Sequence, residues 1–194
     1  MRKLLLSTTL LLVMNFTIQA QLNWIVDTHN SQLKFTVVHL MISQIDGMFT
    51  SYTGTVKSKD ITFADAEINF NVETKSVDTR DADRDIELRS KEFFDCNKFP
   101  NMSFKSTSFK KIAGKKYKLT GDLTIKDVTK QVTFDVTFNG TATDGFGNKK
   151  AGFKATTTIN RLAYGLMWNN TLEGGGLTIS NEVDLILNIQ LMMK

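Results

Sequence analysis

Few residues in this chain have the type and spacing that catalysis or metal binding requires. The two histidines, His29 and His39, have no partner at the spacing of a metal site. The single cysteine, Cys96, has no nearby histidine that could activate its thiol. We therefore expect no catalytic residue, no metal and no cofactor, and the chain is predicted not to be an enzyme.

An acidic cluster between residues 78 and 87 is the other concentration of reactive side chains. It lacks the central glycine and terminal glutamate of a calcium-binding loop. Three arginines, Arg80, Arg84 and Arg89, interleave with it. Because a helix N-terminus favours negative charge, we interpret the cluster as the ion-paired start of a helix, with Arg84 and Asp85 as an expected pair.

Most of the remaining chain predicts β-strands. Ala66, Ile68, Phe70 and Val72 alternate with polar residues, which is typical of a strand with one buried face. The same period of two recurs at seven other places, so about eight antiparallel strands are expected. Strands at hairpin spacing with a polar outer face form a sandwich or a closed barrel. A glycine inside a strand, such as Gly54, suggests a bend or bulge.

The stretch from Arg84 to Phe109 departs from this pattern. It holds the only proline, Pro100, and the densest group of phenylalanines. It predicts a short helix, a turn and then a strand, with Ser90 capping a second turn of helix. A helical insert in an all-β chain is expected to cover one end of the β-structure as a lid or floor.

The first twenty residues have the features of a secretory signal: a basic start, an apolar run and a small residue at the predicted cut. The run is too short to span a membrane, although an uncleaved N-terminal anchor is the alternative. We predict a signal peptide at 1–20 and one domain at 21–194. The protein is then periplasmic or secreted.

Charge argues against a nucleic acid partner. Removing Arg2 and Lys3 lowers the formal net charge from +4 to +2. The lysines are also spread along outward-facing strand positions and form no tract.

The predicted inner face is large and aromatic. Phenylalanine outnumbers tyrosine 14 to 3. An eight-stranded barrel can be filled by side chains or can hold one small ligand, and as a set these residues suit a long apolar ligand. The apolar candidates are Phe35, Val37, Phe49, Phe70, Phe93, Phe94, Phe104, Phe134, Phe138, Phe153 and Trp168. His39, Arg161 and Tyr164 are the candidates for holding a polar end.

A series of short motifs in order gives the chain a family resemblance. They are Trp24-x-x-Asp27, Phe35-x-Val37-x-His39, Gly47-x-Phe49 with Gly54, Arg84-Asp85-x-x-Leu88-Arg89-Ser90, Phe93-Phe94-Asp95, Pro100-x-x-x-Phe104-x-Ser106, Gly121-x-Leu123-Thr124-Ile125, Val128-Thr129-Lys130 and Arg161-x-x-Tyr164-Gly165. Together they resemble the YceI-like family over nearly all of residues 21–194.

The resemblance implies an all-β fold, an antiparallel lipocalin-like barrel of about eight strands with a short helical insert. It implies a polyisoprenoid lipid in the barrel, such as a quinone tail or polyprenyl phosphate, a periplasmic location and often a homodimer. One departure concerns Glu87, where many relatives have histidine after Arg-Asp-x. A carboxylate there would repel a phosphate and would favour a neutral head group, an amide or a fatty tail.

Three functions remain open at this point. The leading one is a lipid carrier or storage protein. The second is a packed structural or stress-response barrel without a ligand, and a barrel that binds a fatty acid or fatty amide is a variant of the first. An enzyme on the same scaffold is the third.

Overall fold

A computed structural model describes residues 21–173 and 175–194, and the predicted signal peptide lies outside the described residues. Eleven strands and one α-helix dominate the structure. The strands are β1 (Leu22–Val26), β2 (Gln32–His39), β3 (Ser43–Phe49), β4 (Tyr52–Ser58), β5 (Glu67–Glu73), β6 (Val77–Asp78), β7 (Asn101–Ala113), β8 (Lys116–Ile125), β9 (Val128–Thr143), β10 (Lys149–Asn160) and β11 (Ile179–Met193). Helix α1 is Ala82–Arg89, and short 3-10 helices occupy Thr28–Asn30, Thr74–Ser76 and Arg161–Tyr164.

These strands form a closed antiparallel barrel with eight strand positions. We call each position a wall, because three of them are made of two consecutive strands. Strand β11 pairs with β2 up to Asn188 and with β1 from Leu191, so β1 and β2 act as one wall with a break between them. Strands β3 and β4 form the next wall in the same way, and β5 and β6 the third. Because β11 pairs with both β10 and the first wall, no edge is left open. The predicted barrel of about eight strands is confirmed.

One end of the barrel is filled by an aromatic cluster, and we call it the closed end. Phe63, in the loop between β4 and β5, has its ring centroid 5.0 Å from those of Trp24 and Phe153 and 5.6 Å from that of Phe138. Its side chain is 1% exposed. Tilted and edge-to-face pairs at these distances are favourable, so the cluster seals the barrel at this end.

The opposite end, which we call the mouth, carries the helical insert. Asp81 caps α1 by accepting from the backbone N–H of Arg84. Asp85 is buried and accepts from both the N–H and the hydroxyl of Thr79, at 2.9 and 2.7 Å. The helix, turn and strand predicted for this segment are present.

Two local predictions for the insert were wrong. Ser90 is the C-cap of α1, and an irregular turn follows it where a second turn of helix was expected. The basic group nearest the Asp85 carboxylate is Arg89, at 4.0 Å, whereas Arg84 donates to Thr79. Adjacent residues of a helix do not face each other, so Arg84 and Asp85 do not pair directly, although both bind Thr79.

Glycines in the wall give room to the phenylalanines of the neighbouring strand. Gly54 lies opposite Phe70, and a Cβ on Gly54 would be 3.0 Å from the Phe70 ring. Gly47 lies opposite Phe35 in the same way, and its missing Cβ leaves the space that the Phe35 ring occupies. Gly54 does not form a bulge, because the β4–β5 register runs through it without a shift. The glycine instead lets the ring lie against the barrel wall.

Candidate functional site

The barrel encloses a cavity of about 340 Å³ that is lined almost entirely by apolar side chains. Ligand pockets begin at about this volume. Twelve of the fourteen residues predicted for ligand binding line it. They are Phe35, Val37, His39, Phe49, Phe70, Phe93, Phe94, Phe104, Phe134, Phe153, Arg161 and Trp168.

The other two candidates lie elsewhere. Phe138 is part of the aromatic cluster at the closed end, where its ring stacks on that of Phe153 at 5.0 Å. Tyr164 is buried in the 3-10 helix after β10, beside a separate surface cleft that borders β9 and β10. Its hydroxyl has no hydrogen-bond partner among the described residues, and burial raises its pKa. The structure brings neither residue to the cavity.

Strand β11 contributes a row of cavity residues that the candidate set omitted. Ile179, Val183, Leu185, Leu187, Ile189 and Leu191 all line the cavity. At about 3.4 Å per residue this run covers roughly 40 Å of strand, or about 30 Å along the axis at the usual tilt of a barrel strand. The alternation from Val183 to Leu191 is visible in the sequence and predicts an inward face, whereas Ile179 lies beyond that run. The cavity is therefore a tunnel that reaches from the mouth toward the closed end.

The mouth contains one buried positive charge, Arg161, which is 3% exposed. Its guanidinium donates to the backbone carbonyls of Leu166 (2.6 Å), Trp168 (2.8 Å) and Ser180 (2.9 Å), with a longer contact to Ile179. None of the ion pairs found within 21–173 and 175–194 includes Arg161. Burial lowers its pKa from the ordinary value, but a guanidinium remains charged in proteins.

These bonds explain why Arg161 lies at the tunnel entrance. The carbonyls that it binds belong to the loop after the 3-10 helix and to the start of β11, both at the mouth. Four bonds leave one of its five N–H groups without a partner in the described residues. Arg161 therefore fixes the loop that carries Trp168 and keeps a positive charge beside an apolar space.

Helix α1 and the residues near it supply further polar side chains of the mouth. Arg84, Glu87 and Leu88 line the cavity together with Thr79. Arg84 is held by Thr79, through its Nε at 2.8 Å to the hydroxyl and its Nη2 at 2.9 Å to the carbonyl. Glu87 is exposed, so the cavity reaches solvent beside its carboxylate. His39 lies half-buried at the end of β2 and faces the cavity as predicted.

Other chemistry is not assembled in the described part of the chain. Within residues 21–173 and 175–194, no group of His, Cys, Asp and Glu side chains is placed to hold a metal ion. Cys96 is buried in the turn after α1, where its N–H donates to the Arg89 carbonyl. No α-helix of these residues has the length and apolar character needed to cross a membrane.

The cavity and barrel can now be compared with those of known proteins. A sequence model described as the YceI-like domain matches residues 24–191. The chain belongs to the YceI-like family. It is 35% identical to the UPF0312 protein VPA0850 of Vibrio parahaemolyticus over 162 residues, which cover 82% of this chain and 86% of that protein. The resemblance predicted from the motifs is confirmed.

Two solved structures share the barrel of this YceI-like chain at low sequence identity. BcnA of Burkholderia cenocepacia superposes with a TM-score of 0.74 at 22% identity, covering 85% of this chain and 98% of BcnA. A domain of Saccharophagus degradans superposes with a TM-score of 0.66 at 13% identity, covering 88% and 98%. The latter is described as a polyisoprenoid binding domain implicated in plant cell wall breakdown. Both likenesses establish the fold.

Proposed function

We propose that this YceI-like protein is an exported carrier that holds one long apolar lipid in its barrel, and that it performs no catalysis. The lipid would be a polyisoprenoid, such as a quinone tail or polyprenyl phosphate. The observation that carries this proposal is the apolar tunnel, which runs from a mouth with polar side chains to an aromatic floor. The fold it shares with the polyisoprenoid binding domain of Saccharophagus degradans is consistent with such a ligand.

The tunnel favours long chains over short ones for an energetic reason. Each buried CH₂ contributes about 0.8 kcal/mol, so one five-carbon isoprene unit contributes roughly 3–4 kcal/mol. Association costs on the order of 4–15 kcal/mol in lost freedom. One or two units barely offset that cost, whereas four or more leave a net gain. We expect affinity to rise steeply with chain length until the lipid reaches the aromatic floor.

The mouth would hold the polar end of the lipid. The buried charge of Arg161 and the imidazole of His39 both face the cavity there, so oxygen acceptors such as quinone carbonyls or a phosphate fit this position. The Glu87 carboxylate lines the same opening and repels a head group that carries more than one negative charge. The charges at the mouth thus favour a quinone-like or singly charged head group.

The alternative of a packed structural barrel is disfavoured by the cavity. Protein interiors are close-packed and contain few voids larger than a water molecule. A continuous apolar space of about 340 Å³ would cost stability in a purely structural barrel. A fatty acid or fatty amide meets the same apolar walls and is separated from an isoprenoid only by experiment.

Mass spectrometry of lipids extracted from the natively purified protein tests the proposal. We expect a polyisoprenoid at close to one per chain. The matched pair of variants is Leu187→Trp, which places an indole inside the tunnel, and Asn188→Trp, whose side chain is absent from the tunnel lining. Leu187→Trp should remove the lipid and Asn188→Trp should retain it. An empty wild-type barrel that also takes up no added isoprenoid would refute the proposed function. A fatty acid or fatty amide in the extract, instead of an isoprenoid, would establish the alternative ligand.

A further inference from the structure

The closed end of the barrel gathers lysines that are scattered in the sequence. Three segments meet there: the loop 57–66, the β7–β8 hairpin tip 110–116 and the β9–β10 hairpin tip 143–150. With the C-terminal Lys194 they contain nine lysines and three aspartates, Asp60, Asp65 and Asp144. The lysines are Lys57, Lys59, Lys110, Lys111, Lys115, Lys116, Lys149, Lys150 and Lys194.

Direct contacts join the first segment to the second and the second to β9, the strand that leads into the third, so the charges lie at the same end of the barrel. The Tyr117 hydroxyl donates to the Thr62 carbonyl at 2.7 Å, which joins the β4–β5 loop to the β7–β8 hairpin. The Lys115 carbonyl accepts from the N–H of Phe138 at 2.8 Å, which joins that hairpin to β9. All the lysines except Lys150 are exposed. The closed end is therefore a basic surface.

The mouth has no such excess. Its segments, 40–42, 74–100, 126–127 and 161–178, contain eight basic and nine acidic side chains. The positive charge of the protein is thus concentrated at the closed end, away from the tunnel opening.

Exposed apolar side chains project from the same basic surface. Phe146, at the tip of the β9–β10 hairpin, is 93% exposed, and Ile112, near the tip of the β7–β8 hairpin, is 62% exposed. Ile61, in the neighbouring loop, is 55% exposed. Each belongs to one of the three segments and lies within a few residues of a lysine. The mouth also exposes apolar side chains, among them Ile42, Ile86 and Met167, so the closed end is distinguished by the combination of exposed apolar side chains with an excess of lysines.

We propose that the closed end is a docking surface for a bilayer that contains anionic lipids. Lysines attract such a surface, and apolar side chains at loop tips enter its interfacial region. A single-stranded nucleic acid would match the charge and could stack on Phe146, but Ile61 and Ile112 have no aromatic face to offer a base. The hydrocarbon of a bilayer can instead accommodate all three side chains. Docked in this way, the barrel turns its mouth toward the aqueous side.

The proposal does not depend on what the tunnel holds, and vesicle binding tests it. Phosphatidylcholine vesicles are compared with vesicles that also contain phosphatidylglycerol. The protein should sediment with the anionic vesicles only, and added salt should release it. The variant Lys110→Glu/Lys111→Glu should bind at least about 25-fold more weakly, since the loss of each lysine costs about fivefold and the new carboxylates repel the anionic surface. Phe146→Ser should also weaken binding.

The mouth provides the matched control. The β2–β3 turn also exposes apolar side chains, with Met41 at 66% and Ile42 at 84%. Met41→Ser/Ile42→Ser should leave vesicle binding unchanged. Tryptophan reporters give an independent readout: with brominated anionic lipids, fluorescence of Phe146→Trp should be quenched and that of Ile42→Trp should not.

Three results would overturn the proposal. The first is equal binding to neutral and anionic vesicles. The second is that the mouth variant loses vesicle binding while the lysine variant keeps it. The third is a preference for single-stranded DNA over anionic vesicles in direct competition.

Discussion

The ammonium group of Lys150 donates a 2.8 Å hydrogen bond to the Asp27 carboxylate, joining β10 to the residue that follows β1. Asn30 and Gln190 donate to the same oxygen at 3.0 and 3.2 Å. The two charged side chains are only 11% and 15% exposed. The hydrogen bond from Lys150 is the main reason that the pKa of Asp27 falls from 3.8 to about 2. This ion pair ties together two strands on either side of β11.

Acid stability should depend on this pair. Because folding lowers the pKa of Asp27, the carboxylate stabilises the fold above about pH 4, and this contribution is lost as the pH falls toward 2. Lys150→Met should reduce the free energy of unfolding at pH 7, because it removes the cationic partner of the Asp27 carboxylate. It should also flatten the pH dependence between about 4 and 2. Urea unfolding across this pH range, with the exposed Lys149→Met as control, measures both. An unchanged acid slope in Lys150→Met would contradict the assignment.

The aromatic floor and the tunnel wall should respond differently to truncation. Phe63→Ala removes a fully buried ring from the closed end and should cost about 3–5 kcal/mol. Phe70 is half-buried and borders the cavity, so Phe70→Ala should cost the lipid-free protein only about 1–2 kcal/mol. Chemical denaturation of delipidated protein compares them. Equal losses would mean that the tunnel is filled in solution.

A glycine in the wall should control the width of the tunnel. In Gly47→Ala the new methyl group meets the Phe35 ring, and because this ring lines the cavity, we expect it to be displaced into the cavity. We expect a cost of about 1–3 kcal/mol from crowding and weaker uptake of long isoprenoids. Gly152→Ala is the control, because its Cβ would make an ordinary 3.5 Å contact with Asn139. Isoprenoid uptake by the two variants, measured by lipid extraction, gives the answer. Equal uptake would show that Gly47 does not set the width.

The carboxylate at the mouth should discriminate between head groups. Glu87→Gln removes a negative charge that lines the opening and should tighten binding of a polyprenyl phosphate by roughly threefold or more, a modest gain because the group is exposed. Binding of a quinone with the same tail should be unchanged. Asp83→Asn is the control, since Asp83 lies in α1 but does not line the cavity. Titration calorimetry with both lipids measures the difference. An equal gain in affinity for both would mean that the charge of Glu87 does not discriminate between the head groups.

Local patterns in the sequence predicted most of the barrel. Period-two alternation identified the inward face of β11, and it placed His39 inward at the end of β2. A strand reveals its two faces through neighbours in sequence, so no long-range information is needed. Alternation does not give depth along the barrel axis. That is why Phe138 was grouped with the tunnel residues although its ring belongs to the aromatic cluster.

The floor of the tunnel was not predictable in this way. Phe63 lies in a loop with a positive φ of 59° and becomes buried only because Trp24, Phe138 and Phe153 reach it from three strands. No periodicity marks a single loop residue. The roles of Arg161 likewise depend on carbonyls up to nineteen residues away, so the sequence indicated a polar candidate but not the loop that it holds.

The aromatic cluster at one end has a kinetic consequence for exchange. Since Phe63 and its neighbours close the barrel, a second lipid cannot push the first one out from behind. A resident lipid must leave by the way it came before another can enter, so exchange proceeds by dissociation first. The rate of replacement should then be independent of the concentration of the incoming lipid, and an acceptor can accelerate release only by acting on the loops around Arg161 and α1.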